Sequence, residues 1–239
     1  FPTRRSSDLD TARVPYGNKS RETVIRYSHQ ICRFLQEQQV KAIVVACNTA
    51  SAFALDAIRD DFDIPIIGVI EAGAKVAAAR TRNKRVGIIG TVGTVGSGIH
   101  AEYLRKLDPE ITVFGKACPL FVPLVEEGWL HDPVTTEVAV RYLRELQDKK
   151  VDTLILGCTH YPLLRSTIRE IMGEDVCLVN PAYETALELG RLLTEKGLSS
   201  TGAQQKEFPY RFFVSDLADE FKAFANSILP YDVEMTKKI

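Results

Sequence analysis

The sequence predicts an α/β fold of two pseudo-symmetric α/β domains with mainly parallel sheets and a site in the cleft between them. Three observations lead there. Apolar runs of strand length alternate with segments whose apolar residues recur at three and four, over most of the chain. Two of those runs end alike: residues 151–156 lead into Gly157-Cys158-Thr159-His160-Tyr161-Pro162, and residues 40–46 into Cys47-Asn48-Thr49-Ala50, each with a helical pattern behind it. The two copies come from different halves of the chain. Alternating strands and helices call for parallel sheets, and such sheets bind ligands outside the carboxyl ends of their strands.

The elements follow in order. Residues 1–9 have no starting Met and no periodicity; they read as a flexible tail, a cloning remnant or the edge of an incomplete gene read, and are set aside as foreign. Residues 10–17 are loop-like, punctuated by Pro15 and Gly17. Ser20 is a good N-cap, and Val24, Tyr27, Ile31, Phe34 and Leu35 form the stripe of an amphipathic helix. Residues 40–46 predict a strand, and Phe53, Leu55, Ile58 and Phe62 mark the helix after Cys47. Residues 64–69 predict a strand with Pro65 near its start, where a missing N–H costs least. An Ala-rich helix over 72–80 leads to a strand over 85–90, which delivers Thr91, Gly93, Thr94, Gly96, Ser97 and Gly98. That Gly/Thr-rich turn offers backbone N–H groups to an anion. No Gly-Lys-Ser/Thr follows, so it is not a Walker loop, and it suits a carboxylate at least as well as a phosphate.

Residues 111–116 predict a strand and 119–123 an irregular connector to Val125-Glu126-Glu127-Gly128-Trp129. Pro133, in the first turn, opens a helix to about residue 148. Beyond Cys158, residues 163–172 predict a helix, 176–179 a strand and 182–196 a helix. Residues 197–206 are polar and break the pattern. A strand over 210–214, a helix over 217–228 and a weak terminal strand complete the chain.

Composition narrows the function. The 239 residues are 45% hydrophobic and 26% charged with a net charge of −1, ordinary for a soluble globular protein and without the charge excess of a nucleic-acid or membrane binder. No apolar run reaches the roughly 20 residues of a membrane span. Five cysteines with no C-x-x-C spacing and no secretory signal point to free thiols in a reducing cytoplasm, and signal no metal site.

The chemistry is read from the two strand-end thiols. A thiol facing a helix N-terminus has its thiolate favoured by the local dipole, but an ordinary Cys, with a pKa near ~8.5, is mostly protonated at neutral pH and needs a nearby base or donor. His160 stands two residues from Cys158, and Glu126 is a further candidate. Two thiols on opposite faces of one carbon suggest inversion: one thiolate removes a proton and the other thiol delivers one, with no metal or redox cofactor required. Each such acid–base group is typically worth ~10²–10⁴-fold in rate.

Taken together, Asp10-Thr11-Ala12-Arg13-Val14-Pro15-Tyr16-Gly17, Ala46-Cys47-Asn48-Thr49-Ala50, Gly90-Thr91 with Thr94, Val125-Glu126-Glu127-Gly128 and Gly157-Cys158-Thr159-His160-Tyr161-Pro162 resemble the glutamate racemases of bacterial cell-wall synthesis, over nearly everything from Asp10 onward. The resemblance implies a cofactor-independent isomerase that interconverts L- and D-glutamate and supplies the D form for peptidoglycan. It implies Cys47 and Cys158 as the catalytic acid–bases, assisted by Asp10, Glu126 and His160. It implies Tyr16, Gly17, Asn48, Thr49, Thr91, Thr94, Thr159 and His160 as substrate contacts, glutamate as the partner, and room for a homodimer. It further implies a first domain of 10–69 plus 182–239 and a second of 70–181. Related aspartate racemases carry Glu after the second Cys-Thr, so His160 favours glutamate. The family opens with a strand and an Asp-Ser-Gly loop that residues 1–9 do not match, so the chain as written is expected to fold and turn over poorly until that upstream segment is restored.

Plainer readings compete. Cys is among the most buried residue types, and Cys32, Cys118 and Cys177 are assigned to the core. Asp10 is otherwise a turn-former, Thr91 and Thr94 helix caps, and Glu126 with Glu127 a solvated helix start. Other functions left open are an aspartate or hydantoin racemase, a cysteine hydrolase using Cys158 and His160, which leaves Cys47 unexplained, and an inactive binder of small molecules.

Overall fold

A computed structural model describes residues 5–199, 210–229, 233 and 236–238. The first element corrects an expectation. Arg5–Leu9, set aside as a tail, forms strand β1, which pairs in parallel with β8 (Tyr210–Val214) from Arg5 opposite Tyr210 to Leu9 opposite Val214. The physical reason is that a parallel ladder is made by backbone groups, so it forms without the alternating apolar pattern that betrays a half-buried strand. β9 (Thr236–Lys238) adds to the other side of β8.

Residues 10–17, read as loop, hold two short 3-10 turns, Thr11–Arg13 and Tyr16–Asn18. Helix α1 (Arg21–Glu37) starts at Ser20, whose hydroxyl accepts from the Thr23 N–H, and buries Val24, Ser28, Cys32 and Leu35 on one face. Strand β2 (Ile43–Val45) is shorter than the apolar run predicts; it pairs in parallel with β3 (Ile66–Gly68), and α2 (Asn48–Arg59) connects them. Among the described residues these strands form two small sheets, β1-β8-β9 and β2-β3, so the first sheet joins the two ends of the chain.

The second half is more regular. Helix α3 (Ile70–Arg80) leads to β4 (Arg85–Gly90), α4 (Val92–Gly96), α5 (Ile99–Leu107) and β5 (Thr112–Ala117). Then come α6 (Phe121–Glu126), α7 (Pro133–Asp148), β6 (Thr153–Gly157), α8 (Arg165–Met172), β7 (Cys177–Val179) and α9 (Pro181–Glu195). Strands order as β5-β4-β6-β7, all parallel. β6 is buried along its whole length, as expected for a parallel strand covered on both faces. Asp132 caps α7 and Pro133 takes its first position. Its Leu143 and Leu146 are sealed in the core with Leu154 and Ile168, each such burial contributing roughly 2 kcal/mol. Helix α10 (Ala218–Ile228) follows β8.

Two further readings are corrected. Residues 119–123, expected as irregular, run into α6, because Pro123 falls in a first turn where its missing N–H leaves no bond unmade. Glu126 and Glu127 consequently end a helix rather than start one. Of the reduced thiols, Cys32 and Cys118 are buried as expected, whereas Cys177 is only half-buried, on the edge strand β7. Of the polar break at 197–206, residues 200–206 lie outside the described residues. Among the described residues no helix is long and apolar enough to cross a membrane, and no group of three or more His, Cys, Asp or Glu is arranged to hold a metal.

Candidate active site

The two thiols leave the carboxyl ends of parallel strands. Cys47 follows β2 and occupies the N-cap position of α2, so that the N–H groups of Thr49 and Ala50 and the Thr49 hydroxyl are aimed at its sulfur. Cys158 follows the central strand β6 and precedes a 3-10 turn, Tyr161–Leu164; the N–H groups of His160 and Tyr161 and the Thr159 hydroxyl serve its sulfur. Gly157 is required just before it, because a Cβ there would lie 2.7 Å from the Ile89 carbonyl oxygen of β4. Burial pushes both thiols up. For Cys158 this reaches about 12, with the charge of Cys47 adding to the rise and the three donors opposing it. Cys47 is raised by burial and eased by its own three donors. The Cys47 charge opposes ionisation of Cys158. Strand register brings the two corners together: Gly90 pairs with Gly157, so Thr91 and Cys158 leave β4 and β6 side by side, and Thr91 bonds Thr49, two residues after Cys47.

Behind Cys158 stands His160. Its Nδ1 lies 3.8 Å from the Cys158 sulfur and 3.3 Å from the Thr159 hydroxyl, and its Nε2 lies 3.3 Å from a carboxylate oxygen of Glu126 at the end of α6. The carboxylate fixes the ring so that one nitrogen faces the thiol. Tyr161 holds the turn: its hydroxyl donates to the Cys118 carbonyl at 2.8 Å and its ring packs edge-on to Phe121, the first residue of α6.

Behind Cys47 stands Tyr16, in the same apolar cluster. Its hydroxyl donates to one oxygen of Asp10, and burial, then that carboxylate, holds the phenol far above its ordinary range, hence neutral. Asp10 is buried, and among the described residues its carboxylate bonds Tyr16, Arg13 and Ser215. Its other oxygen accepts from Arg13 Nε at 2.6 Å and from the Ser215 hydroxyl at 3.0 Å. Ser215 carries no motif and sits far from the rest in sequence; only the pairing of β1 with β8 brings it in.

The halves meet at three threonines. Thr49 from α2 hydrogen-bonds Thr91 at 2.9 Å and Thr94 at 3.0 Å, and Thr91 caps α4 by accepting from the Thr94 N–H. The Gly/Thr-rich turn is therefore itself a short helix. Gly17 packs on Thr91 so closely that a Cβ would lie 2.4 Å from the Thr91 Cβ. Asn48 is buried in the first turn of α2 with its side-chain oxygen unpaired. Every candidate residue thus lies on one of the two thiol corners or on the seam joining them. A groove of about 680 Å³ lies elsewhere, lined by Leu55, Arg59, Tyr103 and Glu188 among others, and includes none of them.

Residues 9–187 match the Asp/Glu/Hydantoin racemase family. The chain belongs to that family. The racemase is 50% identical over 220 residues to the glutamate racemase of Geobacter metallireducens, covering 92% of this chain and 81% of that protein. Its fold superimposes on the glutamate racemase isoform RacE1 of Bacillus anthracis with a TM-score of 0.93 at 38% identity, over 98% of this chain and 86% of that one. The Francisella tularensis glutamate racemase, solved in complex with D-glutamate, gives 0.90 at 36% identity over the same shares. As a racemase the protein is an isomerase, and the parallel α/β architecture expected from the sequence is that of these relatives.

Proposed function

We propose that this racemase interconverts L- and D-glutamate without a cofactor, by a two-thiol mechanism, in the cytoplasm, and supplies D-glutamate for peptidoglycan. The observation that carries the reading is geometric: Thr91 and Cys158 leave the paired ends of β4 and β6 side by side, and Thr91 bonds Thr49, two residues after Cys47. One sulfur, as thiolate, takes the α-proton and becomes a thiol. The other thiol gives its proton to the opposite face of the carbanion and becomes the thiolate. The product is the mirror image, the protonation states have exchanged, and the same steps run backwards. The lobes divide as 10–69 plus 182–239, which β1 joins through its ladder with β8, and 70–181.

The buried, unpaired Asn48 oxygen suits the substrate ammonium, and the Thr49, Thr91 and Thr94 hydroxyls suit a carboxylate. With Cys158 at about 12, forming its thiolate at pH 7 costs about 7 kcal/mol in the empty site. The arriving ammonium, together with the aimed N–H groups, offsets that cost. Thr159 and His160 serve the Cys158 face, Tyr16 and Gly17 the Cys47 face; Glu126 assists through His160, and Asp10 through Tyr16.

The test follows chiral purity and α-deuterium exchange with L-glutamate in D2O, with and without a carbonyl scavenger that would inactivate pyridoxal phosphate. The expected result is inversion with solvent deuterium gained at the α-carbon, unaffected by the scavenger. Turnover of aspartate or a hydantoin with none of glutamate would overturn the substrate assignment, and an acyl-enzyme adduct would overturn the mechanism.

A further inference from the structure

The two strands that flank the Asp10 corner end in register. Leu9 lies opposite Val214, so the next residues, Asp10 and Ser215, leave β1 and β8 side by side. The Ser215 hydroxyl does two things there: it donates to Asp10 at 3.0 Å and accepts from the Ala12 N–H at 2.9 Å. Beside it, Thr11 and Asp216 exchange a second pair of bonds, the Thr11 hydroxyl donating to the Asp216 carbonyl and the Asp216 N–H donating back at 2.8 Å. Asp10 in turn accepts the Tyr16 hydroxyl, and Tyr16 and Cys47 belong to one packed cluster. A chain of hydrogen bonds therefore runs from the end of β8 to Tyr16, which shares an apolar cluster with one thiol. Among the described residues no hydrogen bond from β8 reaches the Glu126–His160 pair behind the other.

We propose that Ser215 is a positioning residue for Cys47 alone: by fixing Asp10 it fixes Tyr16 against that sulfur, so the carboxyl-terminal strand sets the geometry of one thiol of the pair. The inference rests on the two-thiol reading of the site. A purely structural Ser215 stabilises the fold and leaves the two sulfurs equally affected; a positioning Ser215 separates them. A buried carboxylate with three donors holds its neighbours in one arrangement, and removing one donor leaves the Ala12 N–H without its acceptor and Asp10 free to turn.

The experiment compares wild type, Ser215→Ala, Ser215→Thr and Tyr16→Phe in the full chain. The first readout is the rate of iodoacetamide labelling at Cys47 and at Cys158, resolved by peptide mapping. It needs no turnover, so it stands even if glutamate is not the substrate. Ser215→Ala and Tyr16→Phe should change labelling at Cys47 at least ~3-fold and leave Cys158 within experimental error, whereas Ser215→Thr, which keeps the hydroxyl, should match wild type. The second readout is racemisation of α-deuterated glutamate. Activity should fall about tenfold in Ser215→Ala, the loss of one hydrogen bond to a charged group. The isotope effect should rise for the enantiomer whose proton Cys47 removes and fall for the other. Equal changes at both thiols, no change at either, or a Ser215→Thr variant as impaired as Ser215→Ala would overturn the proposal. If Ser215→Ala does not fold, Tyr16→Phe breaks the same chain at its other end, and a change at Cys158 there would overturn it equally.

Discussion

The Cys47 and Cys158 corners share their inner ring and differ in everything behind it. Each sulfur follows a parallel strand and is served by two backbone N–H groups and one threonine hydroxyl, and burial raises each. Behind Cys158 the next groups are an imidazole and a half-exposed carboxylate, a route that ends in water. Behind Cys47 they are a neutral phenol and a carboxylate sealed by Arg13 and Ser215. The scaffolds differ as well: a four-stranded sheet presents Cys158, while Cys47 follows a three-residue strand. Enantiomers are equal in energy, so a racemase needs two matched proton carriers. It does not need two matched supports, and these corners are alike only where the proton moves.

The sharpest way to break the comparison is to remove one sulfur at a time. Cys47→Ser and Cys158→Ser should each lower racemisation by roughly 10²–10⁴-fold, the usual worth of a positioned acid–base group. Each should still exchange the α-proton of one enantiomer, and the two variants should favour opposite enantiomers. Retained exchange of the same enantiomer by both would mean that the thiols do not face opposite sides of one carbon.

The ionisation of Cys158 gives the next largest effect. With burial holding it at about 12, its thiolate fraction rises tenfold per pH unit throughout the ordinary range, so iodoacetamide labelling should climb about 1000-fold from pH 7 to pH 10 without a plateau. Saturating glutamate should slow it. A plateau near pH 8 would show an ordinary thiol whose burial does not oppose ionisation.

The supports are tested by Glu126→Gln. This change leaves the fold intact, because a half-exposed pair contributes little to stability. It should lower kcat about tenfold by releasing the His160 ring, with the labelling rate of Cys47 unchanged. An effect on Cys47 would show that the two corners are not independent.

Much of this was legible in the sequence because it is local. The continuous apolar runs of β4 and β6, Pro133 at the head of α7, Ser20 capping α1 and the matched Cys47 and Cys158 segments each carry their signal within a few residues. What was not legible depends on distance or on backbone. β1 exists through its ladder with β8, which lies some two hundred positions away. The same pairing delivers Ser215, a residue that no motif marks, and makes Asp10 a buried hub. The run at 40–46 predicts a longer strand than β2 because hydrophobicity marks burial, whereas strand ends are set by where a partner strand stops. Pro123 hid α6 because proline breaks a helix interior but not its first turn.

The smallest expected effect probes the inner ring itself. Thr49 and Thr159 are counterparts, each giving its hydroxyl to the neighbouring sulfur, but Thr49 also bridges Thr91 and Thr94 across the seam. Replacing either by Val removes one hydrogen bond to a sulfur, ~1 kcal/mol net or roughly fivefold in the affected step, and Thr49→Val removes its two seam bonds as well. If the corners are matched where the proton moves, Thr49→Val and Thr159→Val should slow labelling of Cys47 and Cys158 respectively, by similar factors. Only Thr49→Val should also change KM, because it alone loosens the joint between the halves. An unchanged KM in Thr49→Val would place the seam threonines outside substrate binding, and equal KM changes in both variants would leave the two corners more alike than their surroundings indicate.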